Sequence, residues 1–334
     1  MKTALTLLMV TAITLGVFFG MTKWQGSEVS AETKNKVKIY EQDGMRYIES
    51  NGIANHETGK FPNAGNPNRI SEQNYQFKVP LNPTFSPNGI QFQGPPPSPP
   101  PNGEQGERYG PPPGGRGGPM LFGVALNGIP FDPGTGEAWN NDMRSGWNNE
   151  ALTGKLNLGV DQNNAHVQPT GAYHYHGIPT GLVEILAGKN VGKKMVLAGF
   201  AADGFPVYSL YGYTNPDDAK SGIKKMTSSY RLKDGTRPTG PKGKYDGTYW
   251  QDFEYVEGLG DLDQCNGRTG VTPEYPNGIY HYFITDTFPF ISRGLKGTPD
   301  KSFQKGPPQG GGGMGRPPGG QGGPPNGQRP PGRP

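Results

Sequence analysis

Glycine and proline recur so often along this chain that few segments support helices longer than two turns. In a helix interior glycine costs about 1 kcal/mol and proline about 3 kcal/mol relative to alanine, so this punctuation steers the chain toward short strands and turns. The expected fold class is mainly β (α+β), a single β-rich domain with short helices. The punctuation is densest in two places. Residues 94–119 hold ten Pro and eight Gly in 26 positions, and residues 306–334 hold nine Pro and twelve Gly in 29. Such segments bring too little apolar surface to offset the entropy of ordering them, so an insert at 94–119 and a tail from residue 304 read as disordered. What remains is one medium-sized domain, with residues 32–93 as its N-terminal part and 120–303 as its main body.

Within the body, Pro169–Pro179 carries two imidazoles alternating with two phenols in Tyr173-His174-Tyr175-His176, bracketed by turn residues. Successive strand side chains leave on opposite faces, so His174 and His176 share one face and Tyr173 and Tyr175 the other. Histidines at i and i+2 sit about 7 Å apart along the strand, a gap their rings can close on one ion. Pro276-Asn277-Gly278-Ile279-Tyr280-His281-Tyr282-Phe283 repeats the pattern with Phe283 in place of the second histidine. If the two strands are neighbours, His281 faces the same space as His174 and His176. His166 precedes them in a polar turn, and Asp203, Asp261 and Asp263 offer oxygen ligands or partners for imidazole N–H groups. The expected metal set is therefore His174, His176 and His281 with His166 and Asp203, and imidazole donors suit Zn or Cu. The alternative is a His/Tyr hydrogen-bonded network that only locks the fold. His56, in Asn55-His56-Glu57-Thr58-Gly59, reads as a solvated loop histidine.

Other segments fill in the body. Val37–Tyr40 and Tyr75–Val79 read as strands. Asn127-Gly128 between apolar runs predicts a type I′ hairpin turn, with Pro130 making the second strand short or an edge. Thr180 is placed to cap a short helix over 181–187, closed by Gly188. Met195–Tyr208 reads as two buried strands around Ala202-Asp203-Gly204. Asn215-Pro216-Asp217-Asp218 has the form of a helix start. Tyr230–Gly235 and Gly247–Val256 read as further strands, and Trp139 and Trp147 as core plugs rather than sugar-stacking platforms.

Lys2 followed by the apolar run Thr3–Met21, with Val29-Ser30-Ala31 behind it, has the form of an export signal cleaved after Ala31, or of a membrane anchor through residues 3–21 if uncleaved. Either way the expected location is extracytoplasmic. Of the formal charge of +4, residues 1–31 carry +1 and Arg316, Arg329 and Arg333 carry +3, leaving a neutral body without the basic footprint of a nucleic-acid binder. Cys265 is the only cysteine, expected to be a buried, inert thiol or a link to a second chain.

Several chemistries drop out. Asp261-x-Asp263-x-x-Asn266-Gly267 places its glycine one position late for an EF-hand loop and puts Cys265 at a ligand position, so it reads as a capped turn. Ser221-x-x-Lys224 and Ser302-x-x-Lys305 lack the accompanying elements of a serine-nucleophile site, and no phosphate-binding or dinucleotide loop is present.

Taken together, Phe122–Pro130, Asn164–Pro169, Tyr173–His176, Ala202–Tyr208, Gly260–Gly267 and Tyr280–Phe290 resemble the YHYH-domain family of exported, mostly bacterial proteins, over about residues 120–300. The resemblance implies an extracytoplasmic domain of that extent and no particular reaction. Two functions remain: an exported metal-binding protein, or a non-catalytic cell-envelope or extracellular domain that packs its aromatics or binds glycan.

Overall fold

The computed structural model describes residues 34–92 and 120–305, with few helices and many short strands. The expected export signal, the Pro/Gly insert at 94–119 and the tail beyond 305 lie outside the described residues. The N-terminal part forms an antiparallel sheet of β1 (Val37–Gln42), β2 (Met45–Ser50) and β3 (Tyr75–Pro80), ordered β1-β2-β3. Alternation along β3 buries Phe77 and Val79 and exposes Gln76 and Lys78, so one face turns to the core.

Two-residue β4 (Gln91–Phe92) precedes β5 (Gly123–Ala125) and β6 (Pro130–Phe131). Then come β7 (Ala165–Val167), β8 (Tyr173–Tyr175), α1 (Thr180–Ala187), β9 (Leu197–Ala201) and β10 (Pro206–Tyr208). Two hairpins follow, β11 (Tyr211–Tyr213) with β12 (Ile223–Lys225), and β13 (Tyr230–Leu232) with β14 (Phe253–Tyr255). The chain closes with β15 (Gly267–Gly270), β16 (Ile279–Phe283) and β17 (Gly294–Leu295), which pairs with β4.

Eight of these strands make one mixed sheet, ordered β15-β16-β10-β9-β5-β6-β8-β7. All three residues of β8 and Tyr280–Phe283 of β16 are buried, because both faces of the sheet are covered. On one face the phenols of Tyr173, Tyr175, Tyr280 and Tyr282 join Phe122, Phe205 and the inner side chains Ile48, Phe77 and Val79 of the three-stranded sheet. Burying such large side chains contributes roughly 1.5–3 kcal/mol each. The other face carries the histidines and, beside β16, a smaller cluster of Met195, Tyr208, Met226, Leu262 and Phe283.

Three local expectations are corrected. The 125–129 hairpin is not type I′: Gly128 N–H reaches Ala125 O, Ala125 N–H reaches Ile129 O, and Gly128 but not Asn127 has positive φ. This is the three-residue loop in which a glycine in the left-handed region follows a turn. Pro130 does leave β6 short, at two residues, the first of the two alternatives expected of it, and the strand lies inside the sheet between β5 and β8. Thr180 is the first residue of α1 and gives no side-chain cap, whereas Gly188 does close the helix at φ 57°. Asn215 starts no helix; its Oδ1 accepts from Asp217 N–H in the loop joining β11 to β12.

Candidate metal centre

Strand β8 pairs antiparallel with β7, placing His166 directly opposite His174. His176 follows β8, its backbone N–H donating to Asn164 O at 2.7 Å, which keeps the chain extended for one residue more. Three imidazoles thereby meet on one face. His174 Nε2 lies 3.0 Å from His176 Nε2, which lies 3.1 Å from His166 Nε2. Ligand atoms of all three fall within 4.8 Å of one another. His174 and His176 are buried and His166 is half-buried, so the cluster opens on the His166 side.

Backbone carbonyls set the tautomers. His174 Nδ1 lies 3.2 Å from Ala172 O, and His166 Nδ1 lies 3.0 Å from Leu158 O. A carbonyl oxygen only accepts, so each Nδ1 carries the proton and each Nε2 presents a lone pair to the centre. This is how metal-ligating histidines are usually oriented. His176 Nδ1 is buried without a hydrogen-bond partner, so His176 has no such anchor. At most one N–H, on His176 Nε2, serves three converging nitrogens, whereas a cation serves all of them.

Burial keeps the His174 and His176 rings neutral. Desolvation pulls His174 down to about 4 against the opposing charge of Asp132, and drives His176 well below the ordinary imidazole value, with His174 and His166 adding to the shift. Asp132 is buried and held by Gln168 Nε2 at 3.1 Å and Lys305 Nζ at 2.6 Å. Among the described residues no carboxylate oxygen joins the three nitrogens.

On the reverse face, Tyr173 donates to Asp161 Oδ2 at 2.7 Å. The Tyr175 hydroxyl accepts from Asn127 Nδ2 at 2.9 Å and meets His56 Nε2 at 2.5 Å. His56 is therefore not the solvated residue its loop implied. Its Nδ1 faces Glu57 O, so Nε2 accepts from the Tyr175 hydroxyl, and the ring tilts against Tyr175 at 5.9 Å.

His281 does not join the cluster. Strands β16 and β8 are five positions apart in the sheet, about 24 Å at the usual strand spacing. The two motif strands end up at opposite ends because each pairs with a hairpin of its own. His281 Nδ1 faces Ile279 O at 2.9 Å, its ring packs on Tyr208 and Phe283, and burial pulls it down to about 4. Asp203 lies elsewhere too. Its carboxylate accepts from the Tyr282 hydroxyl at 2.6 Å and from Gly297 N–H at 2.9 Å, and burial raises it to about 6. Asp261 accepts from Lys224 and Thr227, and Asp263 from the backbone of Cys265 and Gly267, as a capped turn requires. Cys265 is buried, and desolvation pushes its thiol up, away from the reactive thiolate. Trp147 packs edge-on against Tyr249, inside rather than on a platform. His166 reads in sequence as a turn residue, because a three-residue strand leaves too short a pattern to recognise; it lies on β7.

A family model described as YHYH protein matches residues 114–297. No curated protein and no solved structure matches the chain. The family match covers over half of the chain and takes in all three clustered histidines, so the chain belongs to the YHYH protein family.

Proposed function

We propose that this is an exported protein whose His166, His174 and His176 hold one divalent transition-metal ion, zinc or copper, through their Nε2 atoms. Convergence carries this reading: the protons of His166 and His174 are committed to backbone carbonyls, so their lone pairs point at a common centre with His176 Nε2. The spacings of 3.0 and 3.1 Å are close to the roughly 3.3 Å between two ligands of a tetrahedral ion at 2.0–2.1 Å. Sulfur plays no part, so the donor set fits zinc or copper through imidazole alone. A fourth position remains for water or a small ligand, on the side where His166 is partly exposed. Export rests on the apolar run and small-residue site at 3–31, and a mature N-terminus at Glu32 is its mass-spectrometric signature.

The competing reading is a purely structural imidazole network, with one proton on His176 Nε2. Elemental analysis of untagged protein separates the two. One ion per chain in the wild type, and none in the double variant His174→Ala, His176→Ala, is the expected outcome. Full metal content in that variant, or a wild type that never takes up zinc or copper, leaves the network reading standing.

A further inference from the structure

The eight-stranded sheet has a twofold pattern. Counted outward from its centre, one half runs β5-β6-β8-β7 and the other β9-β10-β16-β15. In each half the first pair is antiparallel, the second parallel and the third antiparallel. Across the centre, Gly123 pairs with Ala201, Val124 with Phe200, and Ala125 with Gly199. That register maps onto itself when the halves are exchanged. So do the two bonds flanking it, Leu126 N–H to Ala198 O and Ala202 N–H to Phe122 O, each 2.8 Å.

The sequence follows the same exchange. Gly123-Val124-Ala125-Leu126-Asn127-Gly128-Ile129-Pro130 matches Gly199-Phe200-Ala201-Ala202-Asp203-Gly204-Phe205-Pro206, and Asp161-Gln162-Asn163-Asn164 matches Asp263-Gln264-Cys265-Asn266. Asn164 and Asn266 both take positive φ, at 53° and 54°. Tyr173 donates to Asp161 as Tyr280 does to Asp263, and Tyr175 bonds Asn127 as Tyr282 bonds Asp203. Local bonds of this kind recur too consistently to be chance similarity of two strands.

Superposing the halves in this register puts His281 at the place of His174, Arg268 at that of His166 and Phe283 at that of His176. We infer that the domain is an internal duplication whose second half holds a converted copy of the histidine site, with one imidazole kept and the other two ligand positions refilled by Arg268 and Phe283. The inference rests on the metal reading of the first half. His281 retains the tautomer of a ligand, Nδ1 committed to Ile279 O, and its Nε2 is buried without a hydrogen-bond partner. Arg268 donates to Tyr213 O at 2.6 Å, as His166 faces Leu158 O, and its guanidinium lies 5.6 Å from the Phe283 ring centre. A cation is thus built into the second half where the first half is proposed to recruit one. The ligand class for the restored position is again a divalent transition metal.

The test restores the missing ligands. Arg268→His with Phe283→His should raise zinc uptake by untagged protein from one to two equivalents. A folded double variant that takes up no more zinc than the wild type overturns the inference and leaves the first site untouched. A wild type without zinc and a variant with one equivalent would instead remove the first site and support the duplication. Because a histidine in place of a core phenylalanine can prevent folding, the reverse exchange supplies a second readout. His166→Arg with His176→Phe should bind no zinc yet melt above His166→Ala with His176→Ala, since the second half shows that pair filling the same space. Melting at or below the alanine pair overturns the inference.

Discussion

At His174 the ring proton is placed by Ala172 O, and burial holds the ring neutral down to about 4. An unfolded chain takes up that proton near pH 6.5, so the folded form is increasingly disfavoured as pH falls between those values. The contribution is fully present above about 6.5 and is worth on the order of 3 kcal/mol before it is lost. Equilibrium denaturation of metal-free protein should show stability declining from pH 6.5 toward 4; a flat profile would mean the ring is charged in the fold. The same shift lets metal compete with protons to lower pH than a free histidine allows, so uptake should persist below 6 and fail near 4. His56 supplies a control. Its replacement by Ala removes the bond to Tyr175 and should cost about 1 kcal/mol of stability without altering metal content.

At the scale of elements, the centre of the sheet depends on two glycines. A Cβ on Gly199 would lie 2.1 Å from Val124 O, and one on Gly123 2.4 Å from Phe200 O, because the central strands meet backbone to backbone. Gly199→Ala should therefore cost about 3 kcal/mol, at the upper end for overpacking, read as a drop in the denaturant midpoint. These hairpins were legible in sequence, since Asn127-Gly128 and Asp203-Gly204 sit between apolar runs, and so was the assignment of His174 and His176 to one face. What could not be read was which strand neighbours which. The likeness of Tyr173–Tyr175 to Tyr280–Tyr282 invites adjacency, but pairing is decided by non-local contacts, and each motif strand took its partner from its own half. His166 entered the cluster by the same route, through pairing with His174 that no local pattern announces. A comparison of 123–130 with 199–206, and of 161–164 with 263–266, carries the missing signal.

For the whole molecule, a ligand that binds only the folded form adds stability in proportion to its excess. Zinc or copper at a hundredfold over its dissociation constant should add about 2.7 kcal/mol. In a domain of this size that raises the melting temperature by roughly 5–10 °C, and His174→Ala should cancel the rise. The tail from residue 306 has no apolar side chain beyond Met314, so deleting it should leave melting unchanged within error of calorimetry. The most direct measurement is anomalous diffraction at the zinc or copper edge from crystals of untagged protein soaked in that metal. The account predicts one strong peak on the histidine face of β7 and β8, about 2.0–2.2 Å from Nε2 of His166, His174 and His176. No peak at that point, with these three rings ordered and in contact, would contradict it.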